Sequence, residues 1–368
     1  MKLLYITFIN LDTTPTSGSS VRPAKIKQSL EMLDIELYTV SGMNNNITVR
    51  KKVVKDVKEK LKTWTPDACY IEPPSGPMFY HGDVELIKLL HKKGIPISIF
   101  YRDAYWKYPE YSEEKKLSAV EKMKRFVIKR MQVYQWNVFK NNIDIIYFPS
   151  MTMAKEFQCS HKDVLPPGAF IPETVEKKGV SNPLQFIFVG GAARNHGTFL
   201  TIEAFEKVNK NGVRAKVFYI CPEEQWNGLG IDKKQYSDWL EVIHTSGDGK
   251  LLPYYEKSDI ALLTAPRTFY RDFAVPIKIF EYISYLKPIL VTDCTETARV
   301  VEGNNVGWVC KDSVDDVVAK IEHIIDHPDE VESIRQGMEK ARENNLWISR
   351  TKKVILDLQE VSARRIQI

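Results

Sequence analysis

Short apolar runs alternate with longer, mixed stretches along the first half of the chain. KLLYITF (Lys2 to Phe8) reads as a buried strand, and a loop with Gly18, Ser19 and Ser20 leads into a helical pattern that lasts to Leu33. IELYTVS is the next strand. A Lys-rich helix (Lys51 to Lys62), strand ACYIE, a helix from Val84 to His91, strand PISIFY, a long helix and strand IIYFPS follow. Apolar runs of this length flanked by polar turns are strands, and the segments of period 3.6 are helices. Strands separated by helices pair in parallel, and a parallel sheet is covered on both faces.

VLPPGAFIPETVEKKGVSNP, rich in Pro, Gly and charge, reads as a linker, after which the pattern restarts near Leu184. FIFVGG, AKVFYIC, EVIHTS, DIALLTA, KPILVT and VGWVC are the strands of this second half. The fold class is therefore α/β, with two doubly wound, Rossmann-like parallel sheets in tandem. The expected division is residues 1–175, residues 176–345, and a C-terminal helix from 346 to 368 that packs back on the first domain. Ligands of such sheets sit outside the strand carboxyl ends, so two sheets facing one another would enclose a cleft.

The long helix, about 117–140, carries Val120, Met123, Val127, Met131, Tyr134 and Val138 on one stripe and Lys122, Arg125 and Lys129 nearly opposite. Between Glu113 and Arg130 there are seven basic and three acidic residues. Such a face is either the solvated side of a packed helix or a surface that rests on anionic lipid.

The chain has 368 residues, 43% hydrophobic and 27% charged, enough for two domain cores. No stretch has the ~20 uncharged apolar residues of a membrane span, and the first residues lack the features of a signal peptide. A cytoplasmic protein is expected, with possible peripheral contact on the inner face of the membrane through the 117–140 helix. The five cysteines are scattered without a CxxC pair, which argues against a disulfide framework and a zinc site. Basic residues lie on separate helices without a recognised module, so no nucleic-acid partner is expected.

PIKIFEYISYLKPILVT (Pro276 to Thr292) holds the densest candidate chemistry. Pro276 opens a helix whose first amides, around Ile277 and Lys278, are free to meet a phosphate. Lys278 and Glu281, three apart, emerge on one face, where they are either an ion pair or a phosphate contact beside a carboxylate for sugar hydroxyls. In the first half, PISIFY runs into Arg102 and Asp103, and ACYIE ends on Glu72, all at strand carboxyl ends. Asp103 and Glu72 are candidates to bind a sugar hydroxyl or take a proton, and Arg102 with Asp103 also suits a simple pair. Tyr105, Trp106 and Tyr108 suit either sugar stacking or core packing.

Four segments in order, VGG with a polar loop and TIEAF, SGDGKLLPYYEKSDIALL, PIKIFEYISYLKPILVTD and VVEGNNVGWV, resemble the GT-B glycosyltransferases, specifically the retaining enzymes of glycosyltransferase family four (glycosyl transferases group 1). The resemblance implies that Glu281 holds the donor ribose. Where the family has a second glutamate on the transferred sugar, this chain has Phe273, with Asp272 beside it. Where the family sets an arginine and a lysine on the diphosphate, it has Gly191 and His196. Arg194 is the fixed cation of that Gly190–Gly197 loop and suits the phosphate role. The resemblance also places a glycine-rich loop, here Gly18, Ser19 and Ser20, against diphosphate and acceptor, with Arg22 following as a phosphate or acceptor contact. Arg102 stands where members often carry a histidine that reaches the donor sugar.

The activity the resemblance implies is metal-independent, retaining transfer of a sugar from a nucleotide sugar, a UDP-sugar by expectation, to a glycan or lipid-linked acceptor in cell-surface polysaccharide or glycoconjugate synthesis. No cofactor beyond the nucleotide-sugar co-substrate is expected, and no DxD-like acidic pair suggests a metal site. The alternatives are a non-catalytic GT-B-like subunit that binds a partner, and a nucleotide-sugar epimerase.

Overall fold

A computed structural model describes residues 1–13, 18–108, 118–173 and 179–366. Glu113, Leu117 and the expected boundary at 175/176 lie outside the described residues. Contacts divide the chain into Met1–Pro166 with Trp347–Ile368, and Pro167–Leu346.

The first unit runs β1 (Lys2–Thr7), α1 (Gly18–Glu31), β2 (Glu36–Val40), α2 (Ile47–Lys60), β3 (Ala68–Glu72), α3 (His81–Lys92), β4 (Ile97–Phe100), α4 (Ala119–Asn142), β5 (Ile145–Phe148), α5 (Met151–Lys155) and β6 (Lys162–Val164). Its described strands form one parallel sheet in the order β2-β1-β3-β4-β5-β6. From β1 the chain goes to one side for β2 and returns to the other for β3, so the topological switch lies between β1 and β3. There Thr7 pairs with Glu72 in register. Strand β3 is buried at every residue, as a central parallel strand covered on both faces must be.

The second unit runs β7 (Leu184–Val189), α6 (Thr198–Val208), β8 (Ala215–Ile220), α7 (Glu223–Asn227), β9 (Leu240–Ile243), α8 (Asp248–Lys257), β10 (Ile260–Leu263), α9 (Phe269–Phe273), α10 (Ile277–Ser284), β11 (Ile289–Thr292), α11 (Thr295–Gly303), β12 (Gly307–Cys310), α12 (Val314–Asp326) and α13 (Pro328–Asn344). Its sheet is again parallel, in the order β12-β11-β10-β7-β8-β9, with the switch between β7 and β10. One apolar cluster includes Phe186, Phe205 and Trp226, and another includes Ile187, Tyr255 and Tyr282. The last helix, α14 (Trp347–Ile366), belongs to the first unit and packs on α1 through a buried side that includes Trp347, Val354 and Leu358.

Two expectations are corrected. Gly18 to Ser20 are not a loop but the first turn of α1, and Arg22 therefore sits one turn into the helix. The apolar stripe of α4 does not pack along its whole length. Gln132, Gln135, Trp136, Val138 and Phe139 are the buried residues, whereas Val120, Met123 and Phe126 are 64%, 64% and 61% exposed. A capping box of Ser118 and Glu121 starts the helix.

Candidate functional site

In the second unit the loops after β7 and β10 meet at the switch point. Gly197 has φ +84°, and a Cβ there would lie 1.8 Å from the Thr264 carbonyl oxygen, so only glycine allows this approach. Gly190 is confined less severely, by side chains, with Phe188 Cζ 2.8 Å and Lys278 Cε 3.5 Å from where its Cβ would be. The Lys278 stem thus lies against the glycine turn that follows β7.

Helix α10 is held in this place by Tyr282. Its hydroxyl accepts from the Val189 amide at 3.1 Å and donates to the Leu262 carbonyl at 3.2 Å, bridging β7 and β10. No side chain caps α10 at Pro276, which leaves its first amides to other acceptors. One turn on, Glu281 is half-buried, and its Oε1 accepts from the Tyr255 hydroxyl at 2.9 Å. Among the described residues no ion pair joins Glu281 to Lys278.

Further positive charge surrounds the loop. The Arg194 guanidinium lies 4.4 Å from the Phe199 ring centroid and is exposed. Arg271, on α9, donates to the Asn195 carbonyl and so leans on the same turn. His196 donates from Nδ1 to the Gly191 carbonyl at 2.9 Å in the tautomer this contact favours. Its pKa is lowered, first by desolvation of the ring against the loop and further by Arg271 and Lys278, while the Gly191 carbonyl pulls the other way. The ring is therefore neutral at neutral pH and offers Nε2 as an acceptor.

Asp272 is occupied elsewhere. Arg267 donates to both of its oxygens at 3.0 and 3.2 Å, and Thr295 donates to Oδ1 from its amide at 2.9 Å and its hydroxyl at 3.0 Å. This carboxylate ties α9 to α11 instead of reaching toward Lys278. Phe273 is buried, packed on Tyr270 at 4.7 Å between centroids.

In the first unit, the switch-point carboxylate Glu72 is fully buried and fully used. Oε1 accepts from Arg22 Nε at 3.0 Å and the Tyr70 hydroxyl at 2.5 Å, and Oε2 accepts from Arg102 Nη2 at 3.2 Å. Arg22 also donates to the Leu165 carbonyl at 3.2 Å and stacks 3.3 Å from the Phe100 ring centroid. Burial, the largest single influence, would lower its pKa, but the Glu72 charge together with Tyr70 and their hydrogen bonds outweighs it and raises it. The expectation that Arg22 contacts a phosphate is thus replaced by a buried pairing, and Glu72 is a counter-ion to two guanidiniums, not an open base.

Asp103 is different. It takes hydrogen bonds from the Ser75 hydroxyl and the Tyr105 amide, yet its buried Oδ1 has no partner. Burial pushes its pKa up to about 7 against the pull of Arg102 and these two donors. Trp106 donates to the Tyr101 hydroxyl at 2.6 Å and Tyr108 to Glu156, so both are packing residues, while Tyr105 is half exposed.

The structure therefore brings Gly190, Gly191, Arg194, His196, Pro276, Ile277, Lys278 and Glu281 together in one unit, and Glu72, Arg22, Arg102 and Asp103 together in the other. Ser20 lies in the first turn of α1, as does the Gly18–Ser19 backbone. The reading of the sequence missed Arg271, Gly197, Tyr282 and Tyr255. Tyr282 follows Glu281 directly, and its place on the opposite side of α10 was the available signal. Among the described residues no group of three or more His, Cys, Asp or Glu is arranged to hold a metal ion, and no helix is long and apolar enough to cross a membrane.

Residues 171–342 match the family profile described as glycosyl transferases group 1. No curated protein matches the chain. Among solved structures, sucrose-phosphate synthase from Thermosynechococcus elongatus superposes with a TM-score of 0.68 at 10% identity, over 99% of this chain and 100% of that one. Trehalose 6-phosphate synthase from Burkholderia multivorans gives 0.65 at 11% identity over 99% of each chain. WaaG, a glycosyltransferase of lipopolysaccharide biosynthesis, gives 0.62 at 14% identity over 96% of this chain and 98% of that one. What is shared at these identities is the fold, which is the GT-B fold of glycosyltransferases.

Proposed function

We propose that this chain, with its GT-B fold and a second unit that matches the group 1 glycosyl transferases, transfers a sugar from a nucleotide sugar to a glycan or lipid-linked acceptor. One observation carries the reading. Lys278 lies against the glycine turn of β7 at the β7/β10 switch point, while Glu281, three residues on along α10, is held by the Tyr255 hydroxyl. An ammonium, two neighbouring guanidiniums and uncapped amides suit a diphosphate, and a carboxylate fixed by Tyr255 suits a ribose diol. Catalysis would come from positioning the donor and from stabilising the departing diphosphate with Arg194, Arg271 and Lys278. On this reading side-chain cations do the work of a divalent ion. A UDP-sugar donor and retention of configuration go with the family resemblance.

The exposed first half of α4 supports a lipid-linked acceptor. Val120, Met123, Phe126 and Val127 are exposed with Lys124 and Arg130 flanking their stripe and Lys122 and Lys129 across the helix, a combination of apolar and basic groups that suits the anionic inner face of a membrane. The test of the transferase reading is Glu281→Ala, assayed with a panel of nucleotide sugars. Turnover is expected to fall at least ~100-fold, on the order of 3 kcal/mol of lost stabilisation, with the folded state retained. Near-normal turnover in the variant would sink the assignment.

A further inference from the structure

The first unit contains a recess that none of these roles uses. It lies at the carboxyl ends of β3 and β4, between the Pro73–Met78 turn, Tyr101 to Asp103 and the buried side of α4. Gln135 fixes one wall, accepting from the Met78 amide at 2.9 Å and donating to the Met78 carbonyl at 2.8 Å. Pro73, Pro74, Met78 and Phe139 make much of the lining apolar. Two buried oxygens on the lining, Asp103 Oδ1 and Gln132 Oε1, have no donor from the protein, and Gln132 is 91% buried. Native structures leave few such oxygens unpaired, so each asks for a partner. The free space is about 20 Å³, room for one water or one hydroxyl.

We propose that this recess seats one hydroxyl of a neutral polyol acceptor, with Asp103 and Gln132 as its two partners. The inference rests on the sugar-transfer reading. The hydroxyl donates to Asp103 Oδ1, and a half-turn of the Gln132 amide turns its N–H toward the hydroxyl oxygen, so both side chains gain a partner. The apolar lining meets the adjoining C–H groups of the polyol. An ammonium would meet the Arg102 guanidinium, which also lines the recess, and the draw of Arg102 on a phosphate or carboxylate is opposed by the Asp103 and Gln132 oxygens. Gln132 is thereby a specificity-determining residue that sequence inspection had no reason to single out.

Saturation-transfer NMR of the full chain with glucose, galactose, mannose and glucose 6-phosphate tests this, alongside thermal shift with UDP. The expected result is binding of at least one neutral hexose, weakened about tenfold or more in Gln132→Leu and in Asp103→Asn, the loss of one hydrogen bond. Gln132→Glu, equal in length, guards against a packing defect in Q132L and is expected to weaken the hexose as well. UDP stabilisation is expected to be the same in all four proteins. If UDP stabilises them all but hexose binding is absent, unchanged by the substitutions, or surpassed by glucose 6-phosphate, the recess proposal falls and the transferase reading stands. If no protein responds to UDP, both fall.

Discussion

Glu72 and Asp103 end neighbouring strands, β3 and its partner β4, yet burial treats them differently. Glu72 has three donors on its two oxygens, two of them guanidiniums. Asp103 keeps one buried oxygen unpaired, and its carboxyl is raised to about 7 by burial. A carboxyl whose folded pKa lies above its unfolded value of about 3.9 costs nothing where both states are protonated. The cost grows as pH rises from about 4 and is complete above about 7. Asp103→Asn is therefore expected to be more stable than the natural protein at pH 8, by up to about 4 kcal/mol, with the difference vanishing near pH 4. Urea unfolding across that range checks it, and a constant difference at every pH would refute the burial account. At this scale the sequence exposes chemistry but not commitment. That Lys278 and Glu281 emerge on one face of α10 was legible from their spacing of three beside Pro276. That Asp272 is consumed by Arg267 and Thr295 was not, because those partners meet it only through the folded turn.

Among the elements, α4 carries the most information. Its amphipathic period was legible, but not which half of the stripe finds a core, since that depends on where the sheet ends beneath the helix. Trp136 and Phe139 are buried, whereas Met123 and Phe126 stand in solvent. Replacing Met123, Phe126 and Val127 together by serine is expected to cut co-sedimentation with phosphatidylglycerol vesicles at least ~10-fold, and to leave the thermal midpoint nearly unchanged because those side chains bury little on folding. Equal sedimentation of the triple variant would remove α4 from the membrane account. Two other elements eluded the pattern for identifiable reasons. Strand β6 is KDV, short and half-buried, with no apolar run to mark it. The first turn of α1 is Gly-Ser-Ser, whose residues favour turns over helices.

For the whole molecule, strand–helix alternation sufficed to predict two parallel sheets, because each parallel pairing needs a crossover. Strand order was not readable in the same way. It emerges with the pairing of β1 to both β2 and β3, and of β7 to both β8 and β10, and these reversals decide where chemistry collects. The second unit's reversal gathers Lys278, Arg194, Arg271 and Glu281 around Gly190 to Gly197, and Tyr282 locks α10 onto both strands. The most direct test of the account is the thermal shift of the natural chain and of Glu281→Ala with UDP, GDP and ADP. The account predicts that UDP raises the midpoint of the natural chain, as about 100-fold saturation over Kd adds about 2.7 kcal/mol, and that most of this shift is lost in the variant. Indifference of the natural chain to all three nucleotides, or an equal shift in E281A, would contradict it.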